Sequence, residues 1–145
     1  MKKLEGNWYN ELGSVMNLEI SGSKVTGTYQ TRVGDATEIY DLIGRIDTEN
    51  KQNAAIGWVV VWTNKFSDSD SVTCWSGQYI SDGKGNSMID ATWLLTMAKK
   101  HDNWKSTLIG KNVFRQTKPT EQDLKNNKST GIDVPFPVMA RLYLQ

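Results

Sequence analysis

What most constrains this chain is a succession of eight short, largely alternating segments, each followed by a turn signal, with no long 3.6-residue pattern between them. They run Asn7 to Leu12, Val15 to Ile20, Val25 to Thr31, Glu38 to Ile46, Ala54 to Thr63, Ser71 to Ser81, Ser87 to Met97 and Trp104 to Gln116. Gly13-Ser14, Ser21-Gly22-Ser23, Gly34-Asp35 and Asp82-Gly83-Lys84-Gly85-Asn86 punctuate them. Consecutive hairpin-like strands with short connections predict an all-β fold, an eight-stranded antiparallel up-and-down barrel, because closure removes the edges that an open sheet exposes. A barrel of eight strands is wide enough inside to hold one small ligand.

The segment from Ala54 to Thr63 is apolar on both faces, as expected of a strand covered on two sides. Its outward Val59 and Val61 would form a wet apolar patch unless a second subunit covered them. The pattern changes after Gln116. The stretch from Lys118 to Lys128 is polar, with Thr120 as the N-cap of a short helical turn, and the stretch from Val134 to Leu144 is apolar again. Pro135 and Pro137 make the start of that last segment extended and unsuited to a central strand. The division expected is a barrel domain over residues 4–117 and a C-terminal tail over 118–145, docking on a neighbouring subunit or at a pocket mouth.

Charge argues against several function classes. Seventeen basic residues against sixteen acidic ones leave a net charge of +1. No basic stripe with interleaved aromatics marks a nucleic-acid footprint. No apolar run approaches the roughly 18 residues that a membrane-spanning helix needs, and the start from Met1 to Glu5 lacks the apolar core of a signal peptide. The lone Cys74 excludes an intrachain disulfide. The single His101 lies in a polar Lys-Lys-His-Asp-Asn stretch, too poor in partners for a metal set and a poor base for hydrolysis. No enzyme activity, metal or cofactor is expected.

Six tryptophans point instead to binding. Each buries roughly 150–250 Å². Trp58, Trp62, Trp75 and Trp93 come from three separate segments, so a barrel can bring them to one cavity. Aromatic walls with a few polar groups describe a pocket for a small, largely apolar ligand.

Six motifs carry a resemblance. They are Gly6-Asn7-Trp8-Tyr9-Asn10-Glu11-Leu12-Gly13-Ser14, Thr26-Gly27-Thr28-Tyr29, Ile56-Gly57-Trp58-Val59-Val60-Val61-Trp62, Thr73-Cys74-Trp75-Ser76-Gly77-Gln78-Tyr79, Thr92-Trp93-Leu94-Leu95-Thr96 and Trp104-Lys105-Ser106-Thr107-Leu108-Ile109-Gly110. Any one is weak, but six in the same order over residues 6–114 are specific. The chain resembles the avidin/streptavidin family of biotin-binding proteins.

The resemblance implies non-catalytic sequestration of biotin, and it implies a role for each matching residue. Asn10, Ser14 and Tyr29 match the three donors that hold the ureido oxygen. Thr31 and Asn112 match the groups that accept from the ureido N–H atoms, with Asn112 at a position where streptavidin carries aspartate and avidin asparagine. Thr73 matches the hydroxyl at the thioether sulfur, and Ser71 with the backbone N–H of Asp35 the groups at the carboxylate. Trp62, Trp75, Trp93 and Leu95 match the apolar walls, and Leu12 and Val33 join the ligand-binding set. Trp104 matches the tryptophan that the family lends to a neighbour's pocket, which implies a homotetramer. A secreted protein is the family's habit. The competing reading is an avidin-like or lipocalin-like carrier of another heterocyclic or apolar ligand, against which the joint presence of Asn10, Ser14, Tyr29, Thr31, Thr73 and Asn112 argues.

Overall fold

In a computed structural model, the described residues are 2–32, 38–50, 52–63, 70–98, 106–128 and 134–135. Eight strands follow one another: β1 (Gly6–Asn10), β2 (Val15–Ser21), β3 (Lys24–Gln30), β4 (Tyr40–Ile46), β5 (Asn53–Val61), β6 (Ser71–Ser81), β7 (Ser87–Met97) and β8 (Thr107–Arg115). Each pairs antiparallel with the next, and β1 pairs with β8 to close the barrel. The expected up-and-down topology is therefore the observed one. Among the described residues no helix is long and apolar enough to cross a membrane.

Alternation decides what fills the interior. Along β5, residues Ala54, Ile56, Trp58 and Val60 are buried, while Ala55 and Val61 face outward. Along β6, Thr73, Trp75 and Tyr79 are buried and Cys74, Ser76 and Gln78 exposed. One cluster fills the interior, built from Trp8, Met16, Leu18, Val25, Tyr29, Leu42, Trp58, Trp75, Ile89 and Phe114 among others. Leu4, in a short 3-10 turn ahead of β1, joins it and accepts a hydrogen bond from Trp8 Nε1 at 2.9 Å. Trp8 thus anchors the chain start to the core.

The first strand is shorter than the alternation predicts. It ends at Asn10 because the Asn10 side chain takes over the backbone: its Oδ1 accepts from Leu12 N at 3.0 Å and Ser14 N at 2.8 Å. Gly13 completes the turn at φ +83°, a left-handed conformation that glycine adopts without strain. The β1–β8 pairing consequently stops at Asn10↔Phe114, leaving residues 107–113 of β8 without a β1 partner.

Two elements beyond the barrel lie along that seam. The helix α1 (Glu121–Lys128) starts where expected, with Thr120 Oγ1 accepting from Asp123 N at 3.2 Å and the Asp123 carboxylate accepting from Thr120 N and Oγ1. Those bonds hold the Asp123 carboxyl below the usual carboxylate range. Leu124 packs against the β1–β2 turn, where a Cβ built on Gly13 would lie 3.0 Å from Leu124 Cδ2. Asn127 Nδ2 donates to Glu11 O at 2.8 Å. The two-residue β9 (Val134–Pro135) then pairs with Leu108 and Ile109 of β8.

Candidate functional site

The described residues contain four buried polar side chains, Asn10, Ser14, Thr73 and Asn112. All four stand among the residues singled out from the sequence. A buried polar group is costly unless it is partnered, so its remaining hydrogen-bonding capacity shows what it can offer a ligand.

Asn10 comes from the end of β1. Its carbonyl oxygen is held by the two turn N–H groups, which turns its NH2 end inward, 3.5 Å from the Tyr29 hydroxyl. Ser14 Oγ accepts from Arg32 N at 3.1 Å and lies 3.5 Å from Thr31 Oγ1. With one lone pair taken by the backbone, the Ser14 hydroxyl keeps its O–H donor and a second lone pair for the neighbouring hydroxyls or a ligand. Tyr29, on β3, has its phenol pushed well above the ordinary tyrosine value, first by burial, with a lowering by the Ser14 hydrogen bond and a further rise from the Glu11 charge. It stays protonated, a neutral donor, throughout the physiological range.

Aromatic rings surround these donors. Trp62 and Trp75 meet Tyr29 at ring-centroid distances of 5.6 and 5.1 Å, the first edge-on and the second stacked. Trp58 stacks behind Trp75 at 5.5 Å with an interplanar angle of 13°. Each inward indole N–H of the pair lining the site is tied to a buried polar group. Trp62 Nε1 donates to Thr73 Oγ1 at 2.7 Å, and Trp75 Nε1 donates to Asn112 Oδ1 at 3.1 Å. Thr73 therefore also presents a hydroxyl proton, whereas Asn112 turns its carbonyl oxygen inward, with a second lone pair to offer.

The register aligns Thr73 with Leu95 and Trp75 with Trp93 across β6 and β7. Trp93 and Leu95 are half-buried and pack on the core. Gly110 makes room for Trp93. A Cβ at Gly110 would come within 2.2 Å of Trp93 Cζ2 and 2.5 Å of Cε2, so the indole lies across β8 only because that position has no side chain.

The two asparagines thus face the interior in opposite senses. Asn10 presents N–H donors beside two hydroxyls, and Asn112 presents an acceptor. A planar group with a carbonyl oxygen and an adjacent N–H would find both complements there. Leu12, Thr31 and Ser71 are half-buried at the same loop-bearing end of the barrel. Val33, Asp35 and Trp104 lie outside the described residues, as does His101.

Three contributors escaped the sequence reading. Glu11 hydrogen-bonds Asn112 from 101 residues away, a relation that no local signal carries. Gly110 matters only through the ring above it. Tyr40 occupies an inward position that alternation along β4 does indicate, 5.0 Å from Trp62, and its buried hydroxyl has no hydrogen-bond partner among the described residues. Such a group carries an uncompensated desolvation cost of about 1–3 kcal/mol. Tyr40→Phe is expected to raise the stability of the ligand-free protein by about 1 kcal/mol in urea denaturation. A loss of that size instead would mean that the hydroxyl is satisfied in solution.

The family model matching this chain, described as the avidin family, covers residues 1–117. Avidin of Gallus gallus is 35% identical over 127 residues, spanning 82% of this chain and 81% of that protein. Avidin-related protein 3 of Gallus gallus is 32% identical over 125 residues, with the same shares covered. Avidin-related protein 4/5 follows at 30% over 125 residues. With the closed eight-stranded barrel and the matched residues 1–117 in agreement, this chain belongs to the avidin family.

Proposed function

We propose that this protein binds biotin inside the barrel without transforming it, and so sequesters the vitamin. The observation that carries the reading is the opposed orientation of the two buried amides, Asn10 donor-inward and Asn112 acceptor-inward. The ureido ring of biotin needs that pairing, several donors at its oxygen and an acceptor at each N–H. Asn10, Ser14 and Tyr29 take the oxygen, polarising it as preorganised donors do. Asn112 and Thr31 take the N–H groups, and the Thr73 hydroxyl meets the thioether sulfur. Trp62, Trp75, Trp93, Leu95, Leu12 and Val33 form the apolar surround. Ser71 and the Asp35 backbone take the carboxylate.

Calorimetric titration with biotin and with desthiobiotin, which lacks the sulfur, tests this. Saturable binding of one biotin per chain is expected, with desthiobiotin weaker because Thr73 loses its partner. No heat, and no change in tryptophan fluorescence at micromolar protein, would sink the proposal.

A homotetramer with Trp104 lent to a neighbour belongs to the same proposal. It is supported by an apolar row on the outer face, running across five strands in register: Ile43, Val59, Cys74, Leu94 and Ile109. Ile43 is 63% and Leu94 43% exposed in the isolated chain, with Val61 at 53% nearby. Contiguous exposed apolar surface of this kind is what a subunit contact covers. Light scattering on Leu94→Glu should report fewer chains per particle than the unmodified protein. An unchanged mass would remove this row from the contact, and a monomeric unmodified protein would overturn the tetramer.

A further inference from the structure

The geometry points to Glu11 as a positioning residue that acts on the ligand's N–H through Asn112. The inference rests on the biotin reading for its consequence, but the link between Glu11 and Asn112 is testable without ligand.

Glu11 stands where β1 has left the sheet. The next donor on the exposed edge of β8 is Val113 N, which a continuing β1 would have engaged through its backbone. The Glu11 carboxylate takes its place: Oε2 accepts from Val113 N at 2.9 Å, and Oε1 accepts from Asn112 Nδ2 at 2.8 Å. One half-buried side chain therefore closes the gap in the β1–β8 seam and grips the site amide from behind. Asn127 of α1 donates to its backbone carbonyl and holds that carboxylate's own chain in place.

The consequence follows from the near-equal shape of the two ends of an amide. Which end of Asn112 faces inward is decided only by partners. A carboxylate accepts and cannot donate, so it selects Nδ2. The Trp75 indole donates and cannot accept, so it selects Oδ1 at the opposite end. With both locks in place Oδ1 points inward. With Glu11 removed, Nδ2 loses its charge-assisted acceptor, and an inward Nδ2 would confront the ligand's N–H with another donor. The carboxylate has a second effect. It polarises the amide along the chain of hydrogen bonds, which strengthens Oδ1 as an acceptor.

Three measurements test this on the full chain. First, the 15N–1H spectrum of ligand-free protein resolves the six indole N–H groups, and Trp75→Phe identifies the Trp75 signal. In Glu11→Ala that signal should shift and exchange faster, because its acceptor is no longer fixed. Second, biotin affinity should fall about 10- to 100-fold in Glu11→Ala. Glu11→Gln should fall between, since its single carbonyl oxygen serves one of the two donors. Third, in an Asn112→Ala background, Glu11→Ala should add less than about a 2-fold loss. An unmoved Trp75 indole signal overturns the inference whatever the ligand, and so does a full Glu11→Ala loss persisting without Asn112, which would mark a purely structural role. If the unmodified protein ignores biotin while the indole signal moves as expected, the biotin reading fails and the Glu11–Asn112 link stands.

Discussion

Trp75→Ala is expected to lower the stability by about 3–5 kcal/mol and to abolish retention on immobilised biotin. Trp75 is 5% exposed and meets three residues of the proposed site, Tyr29, Trp62 and Asn112. It stacks between Trp58 and Tyr29, meets Trp62 at 6.3 Å, and holds Asn112 through its indole N–H. Truncation leaves a cavity bounded by rigid rings, which collapse poorly, so the loss belongs at the upper end for a core substitution. Trp75→Phe separates the two roles. It keeps most of the stack, costs about 1–2 kcal/mol, and leaves Asn112 with Glu11 as its only named partner. Urea denaturation and biotin retention on both variants check this. A Trp75→Ala protein with unmodified stability would show that the stack is not the core of the barrel.

Gly110→Ala should have the next largest effect, although it adds a single methyl group. The new Cβ would sit 2.2 Å from the Trp93 ring, and the ring has no flexible end to move aside. Trp93 must rotate away from β8 or the strands must part, at a cost of about 1–3 kcal/mol for overpacking. Because Trp93 is assigned to the wall of the pocket, biotin should dissociate at least about 10-fold faster. Thermal unfolding and a dissociation chase with excess biotin measure the two effects. If neither changes, the position of the Trp93 indole does not depend on the absent side chain.

These cases mark how far the sequence could be read. Alternation is a local property, and along β5 and β6 it puts Trp58, Trp75 and Thr73 on the inward faces. The outward Val61 was expected from the same pattern. The turn after β1 was partly legible: Gly13-Ser14 signalled a break, but the strand stops at Asn10 because a side chain out-competes the ladder for two N–H groups. That competition depends on geometry within a few ångströms and has no period to detect. The tail was legible only as a capped helix and an extended apolar stretch. That α1 packs on the β1–β2 turn and β9 pairs with β8 follows from the gap that β1 leaves.

The chain by itself determined a closed eight-stranded barrel and an interior where polar and aromatic residues mix, since period-2 patterning and turn chemistry act between neighbours. Only the tertiary structure decided which end of each buried amide faces inward, that Trp93 lies over Gly110, and that Glu11 stands behind Asn112. Hydrogen bonds and close contacts between distant residues carry no trace in local sequence. The aligned partners exist only once the strands have come into register.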